Sequence, residues 1–334
     1  MRRTNQLVLA GSAHKLSADG PVTLRLCHLL VCRARVHPGV LLAAAVVVTS
    51  LLLTTGAQAA ALPTKKLAWA PPRLRHPTTI HISSPTKDLY LDPSRDYILK
   101  MPSTPVKPGD DGGLWVSGGH NIVIVGGEFD FNGVVNTDPV NEKEGRVATF
   151  YGVTGTIHME GIWAHGNGLI EGVDMYSPRA TLQIENCRFD HLHTEANGYH
   201  SDLVQWGTDG GKALRIDRFT GSSEVQGISD FGQPAAFDLR QVNILGLSGA
   251  NISSPVLGWL QASSVALQDF YVQPRPGESL LATLRPYGGK MSKKGTVTWR
   301  GGRIRGSVHR GRPPHGDYVP RRVVGIHYKS PGYF

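Results

Sequence analysis

From Asn121 onward the chain alternates apolar and polar residues in short runs that share one outline. A small polar residue comes first, then apolar positions two apart, a polar turn and a further apolar residue. The runs are N-I-V-I-V-G-G-E-F from Asn121, T-I-H-M-E-G-I-W from Thr156, T-L-Q-I-E-N-C-R-F from Thr181 and A-L-R-I-D-R-F from Ala213. They continue with A-F-D-L-R-Q-V-N-I from Ala236, S-V-A-L-Q-D-F from Ser264 and T-V-T-W-R-G-G-R-I from Thr296. Their starts lie 35, 25, 32, 23, 28 and 32 residues apart. Period two makes each run a strand with one buried face. A shorter apolar stretch precedes most of them: Leu114–Val116, Leu169–Met175, Leu203–Trp206, Gly227–Ser229 and Leu280–Leu284. Strand, turn, strand, turn, strand is one coil, and a coil that cannot bury its own apolar side must stack on neighbours.

The pattern therefore predicts an all-β, parallel β-helix of about 7–9 coils, spanning residues 85–310. Ile122, Ile124, Leu182, Ile184, Leu214, Ile216, Val265 and Leu267 should be buried in ladders. Strands this short, without an amphipathic helix, exclude a doubly wound α/β fold. An antiparallel sandwich has similar turn spacing and is the competing arrangement. Against it, Asn-Gly hairpin signals are few, at Asn132-Gly133, Asn167-Gly168 and Asn197-Gly198, and the repeat runs in one direction.

Composition agrees with a turn-rich chain: of 334 residues, 40 are Gly and 22 Pro, and 18% are charged. Arg33 and Arg35 precede an apolar run from Val40 to Leu53, followed by Ala57-Gln58-Ala59. This reads as a signal peptide over residues 1–59 with a long basic region, or as a signal anchor if uncleaved. Fourteen residues is short for a membrane span. Residues 60–84 read as a Pro-rich linker and 311–334 as a basic C-terminal tail.

Without residues 1–59 the net charge falls to +4, of which residues 285–334 carry +11 and residues 60–284 carry −7. The basic charge is thus local, and such a patch attracts an acidic polymer or stands as a solvated surface. Cys27 and Cys32 lie in the leader, so Cys187 is alone in the mature chain and forms no internal disulfide.

The run outline, the coil spacing and the exported context together resemble the pectate-lyase-like superfamily of secreted right-handed β-helices. The resemblance covers roughly residues 85–310. It implies a right-handed helix and a polymer groove beside the short strands. It does not choose among lyases, hydrolases, epimerases and inert adhesins.

The densest polar segment, D-H-L-H-T-E-A-N-G-Y-H-S-D-L-V-Q-W from Asp190 to Trp206, leaves one coil and enters the first strand of the next. His200-Ser201-Asp202 with Gln205 is similar to the H-x-D-x-x-Q strand starts of exported β-helix proteins. His200, Asp202 and Glu171 are the candidate catalytic residues. Asp174, Tyr199, Gln205, Trp206, His191 and His193 are the candidate substrate contacts. β-Elimination of a polyuronate needs a base and neutralisation of the substrate carboxylate. A His, or an Arg or Lys of lowered pKa, supplies the first, and an Arg or a calcium ion held by Asp and Glu the second. Hydrolysis needs two placed carboxylates.

Matching the short strands puts Glu171, Asp202 and Gln226 in one ladder and Asp174, Gln205 and Ser229 in the next. Glu171 and Asp202 share parity with Val173 and Val204, the pattern of residues that cap an inward face. His191 and His193 also fit a solvated turn, and Asn186 and Cys187 a stacked turn. Three His residues have zinc-compatible spacing, but no C-x-x-C or H-E-x-x-H accompanies them. Polygalacturonase, pectate-lyase (R-x-P-x-x-R) and epimerase (D-P-H-E) signatures are absent. The expectation is a secreted, monomeric carbohydrate-active enzyme on an acidic polysaccharide, with no nucleic-acid partner. The alternative is a non-catalytic glycan- or wall-binding β-helix, free or membrane-tethered.

Overall fold

A computed structural model describes residues 66–135, 145–193, 201–232, 235–248, 257–258, 261–278, 284 and 289–332. The expected leader lies outside them, as do Tyr199 and His200. Among the described residues no helix is long and apolar enough to cross a membrane.

In the long sheet, nine strands lie side by side in chain order. They are β1 (Thr78–His81), β3 (Tyr97–Lys100), β5 (Ile122–Val125), β8 (Thr156–Glu160) and β11 (Thr181–Leu192), then β13 (Ala213–Ser223), β15 (Ala236–Gly246), β17 (Ser264–Gln273) and β20 (Ile304–Arg310). Every one of these pairings is parallel. The short sheet takes the intervening segments: β2 (Leu89–Leu91), β4 (Leu114–Gly118), β7 (Arg146–Tyr151), β10 (Glu171–Tyr176), β12 (Val204–Trp206), β14 (Ile228–Asp230) and β16 (Leu257–Gly258). These too are all parallel. The chain is thus all-β and visits two parallel sheets in turn, an arrangement compatible with a β-helix and not with an antiparallel sandwich.

The long strands bend, and the bend has one cause. Gly126, Gly161, Asn186, Arg218, Gln241 and Asp269 all hold positive φ, between 46° and 70°. Each follows a residue of one ladder, Val125–Glu160–Glu185–Asp217–Arg240–Gln268. A left-handed residue at the same place in every coil turns each strand through a corner, and stacking keeps the strained residues together. Beyond the corner lies a third face, made of β6 (Glu128–Asp130), β9 (Trp163–His165) and the second halves of the longer strands. Asn186 and Cys187 therefore do stack at a turn.

Two inward ladders fill the interior: Ile122–Ile157–Leu182–Leu214–Phe237–Val265 and Ile124–Met159–Ile184–Ile216–Leu239–Leu267. All are buried, including the eight residues expected from the alternation.

Two expectations need correction. The run from Thr296 is not another parallel coil: β19 (Val297–Arg300) is antiparallel both to β20 and to β18 (Lys290–Met291). Gly295 and Gly302, at φ 77° and 84°, make the tight reversals, so this hairpin closes the stack. Nor is the C-terminal segment a free tail. It lies across successive coils of the third face, where Arg188 Nη1 donates to the Val319 carbonyl at 2.8 Å and Arg321 pairs with Asp190 at 2.8 Å. Asn186 Nδ2 donates to the Tyr328 hydroxyl at 2.9 Å. The Tyr328 ring packs over Gly161, where any Cβ would stand 2.1 Å from it.

Candidate functional site

The outer face of the short sheet carries one polar row in register: Trp115, Thr149, Asp174, Gln205 and Ser229. The Asp174–Gln205–Ser229 part is the ladder expected from the sequence. Beside the row, Tyr151 and Tyr176 pair in register and stack at 4.8 Å, and Trp115 leans on Tyr151 at 5.0 Å. Gln205 Nε2 donates to the Tyr176 hydroxyl at 3.0 Å.

Arg146 organises the floor. Its Nε donates to Glu171 at 2.6 Å and its Nη1 stands 3.1 Å from Asp174. Burial opposes its charge, but Glu171 and then Asp174 outweigh burial and hold the guanidinium above its usual range. Burial, followed by Asp174, likewise pushes the Tyr176 phenol up. Asp202 lies one coil further, since Gly172 N donates to its carbonyl at 2.8 Å. Its carboxylate accepts from Ser229 Oγ, which also touches the Gln226 amide. Glu171, Asp174 and Asp202 are all buried. Thr149 Oγ1 is buried there with no hydrogen-bond partner among the described residues.

The other expected residues separate from this row. Trp206 turns inward, fully buried, with its ring edge-on to Phe237 at 5.4 Å, so it is core and not a sugar platform. Its parity with Val204 decides that. His191 and His193 stand on the third face at the end of β11, stacked at 3.9 Å, and both approach Glu224 of the next coil. Burial and then His191 lower the pKa of His193. Asp190 is occupied structurally by Arg188, Arg321 and Trp163.

Sequence reasoning missed Arg146, Thr149, Tyr151, Tyr176 and Glu224. The signal for four of them was legible: R-V-A-T-F-Y and E-G-V-D-M-Y lie 25 residues apart and align Tyr on Tyr.

A second polar site lies at the corner of the long sheet, where Lys66, Asp217, Arg218 and Arg240 border a cavity of about 370 Å³. Arg218, which is not a residue of the short sheet, has its pKa lowered by burial. Next to it, Glu185 accepts the Ala68 and Trp69 backbone N–H groups at 2.7 and 3.2 Å. Burial nevertheless pushes its carboxyl up to about 7 from 4.5. The folded protein then holds a proton that the unfolded chain releases between those values, so stability contributed by this group is lost as pH rises through that window. Glu185→Gln keeps one acceptor and should flatten the decline between pH 4.5 and 7, leaving the variant at least as stable as wild type at about pH 8. Urea melts of both proteins across that range check it, and an unchanged slope would refute the assignment.

No family model, no curated protein and no solved structure matches this chain.

Proposed function

We propose that the chain is an exported right-handed parallel β-helix of the pectate-lyase-like kind that acts as a lyase or hydrolase on an acidic polysaccharide. The observation that carries this reading is the in-register row on the short sheet. There Asp174, Gln205 and Ser229 run beside an aromatic column, and Arg146 bridges Glu171 and Asp174. A row that repeats from coil to coil, about 4.8 Å apart, suits a ligand that itself repeats. Handedness follows from the rule that parallel strands joined by crossovers wind right-handed in about 98% of cases.

Roles divide by chemistry. Arg146 stays cationic, so it fits charge neutralisation and not proton abstraction. Proton transfer falls to His200, with Asp202 and Glu171 tuning it or serving as the paired carboxylates of hydrolysis. Glu171, Asp174 and Asp202 offer oxygen donors of the kind calcium takes, and a calcium ion held there would bridge to a substrate carboxylate. A second reading, glycan binding without turnover, is favoured by the burial of Asp174 and Asp202 and by the basic corner cavity.

The test incubates the protein with a polysaccharide panel, with and without calcium, following unsaturated products and new reducing ends. His200→Ala and Asp202→Asn should melt within a few degrees of wild type yet lose turnover or glycan affinity at least tenfold, about 1.4 kcal/mol. Lower melting with intact specific activity would reduce both residues to turn supports. Neither products nor binding across the panel would overturn the carbohydrate reading.

A further inference from the structure

We infer that His191, His193 and Glu224 form a site for a divalent transition-metal ion of the zinc class. His191 Nε2 and His193 Nδ1 lie 3.0 and 3.4 Å from the same Glu224 oxygen, Oε1. Zinc bonds of about 2.0–2.1 Å at tetrahedral angles separate neighbouring ligand atoms by about 3.3–3.4 Å, so an ion fits with little movement. All the candidate ligand atoms fall within 4.8 Å of one another. Two imidazoles and one carboxylate are the donor set of zinc, whereas calcium takes oxygen alone.

The backbone places these ligands without their mutual contacts. The β11–β13 register shifts between Phe189 and Leu192, a bulge that leaves His191 at φ 60° with its N–H bonded to Ser222 Oγ at 2.7 Å. Bulges re-aim side chains, and here the bulge sets the His191 ring on that of His193. Glu224 is pinned from two sides: its N–H donates to the Leu192 carbonyl and its carbonyl accepts from Arg275, each at 3.0 Å. The histidine side chains are 50% and 31% exposed while Glu224 is 12% exposed. One coordination position therefore faces outward, open to water or an oxygen of a bound molecule, as in zinc centres with three protein ligands. Because the ligands come from two adjacent coils, the ion would also tie those coils together. The inference rests on this geometry and not on the carbohydrate reading.

Chelator-stripped protein, titrated with Zn²⁺ by calorimetry and with Co²⁺ by visible absorption, tests it. Binding of one equivalent with the intense d–d bands of tetrahedral cobalt is expected, together with a rise in Tm. His193→Ala and Glu224→Gln should each weaken binding at least tenfold, and His165→Ala, on the same face, should not. His191→Ala and His193→Ala alter half-buried positions, so they keep the test valid if Glu224→Gln misfolds. No saturable binding, binding undiminished in the His variants, or preference for Ca²⁺ would overturn the assignment.

Discussion

Ile184→Asp should leave the chain unfolded under conditions where wild type is native. Ile184 is completely buried, in register between Met159 and Ile216, with no polar atom of its own ladder to receive a carboxylate. Losing a buried Ile side chain removes about 2–3 kcal/mol of burial. An unpaired charge in that place adds several kcal/mol more or takes up a proton at similar cost. The total, on the order of 5 kcal/mol or more, matches the whole stability of many domains. Ala236→Asp begins a strand at an exposed position and should shift stability by no more than about 0.5 kcal/mol. Circular dichroism and urea melts of the two variants decide the matter. Native-like melting of Ile184→Asp would mean that the alternation has been assigned to the wrong face.

Arg146→Met should cost about 3–5 kcal/mol, the second largest effect expected. Arg146 pairs with two buried acids, Glu171 and Asp174, so truncation removes a shared guanidinium from both carboxyls in a low-dielectric floor. Losing that cation favours the neutral carboxyl in a buried place, so the variant should recover stability relative to wild type as the pH is lowered. Glu171→Gln in the same chain removes one of the two carboxyls and should restore part of the loss. Turnover or glycan binding should stay depressed in the double variant, because charge neutralisation is gone even where folding is repaired. If the double variant regains full activity, Arg146 is a structural counter-ion only. If Arg146→Met melts as wild type does, the buried trio is solvated in solution.

How legible all this was depends on distance along the chain. Alternation at Ile122, Leu182, Leu214 and Val265 is local, so strand, buried face and repeat could be read directly. Coil spacing then aligned Asp174 with Gln205 and Ser229, because parallel stacking fixes register once apolar positions are matched. The left-handed corner was partly visible: glycine, asparagine and aspartate at positions 126, 161, 186 and 269 favour positive φ, but Arg218 and Gln241 do not. The run from Thr296 misled because its alternation is that of any strand, and alternation carries no direction.

By itself, then, the sequence determined the all-β class, the inward residues and the ladder of the short sheet. Period-two burial and repeat spacing are properties of neighbouring residues. Only the tertiary structure decided the rest. It set Trp206 in the core, brought Arg146 to Glu171 and Asp174 from the preceding coil, and joined His191 and His193 to Glu224 across 31 residues or more. It also laid the basic C-terminal segment over the third face, where Asp190, Arg188 and Asn186 receive it. Each of these depends on which groups stacking places side by side, and electrostatic and packing energies act between neighbours in space, not in sequence.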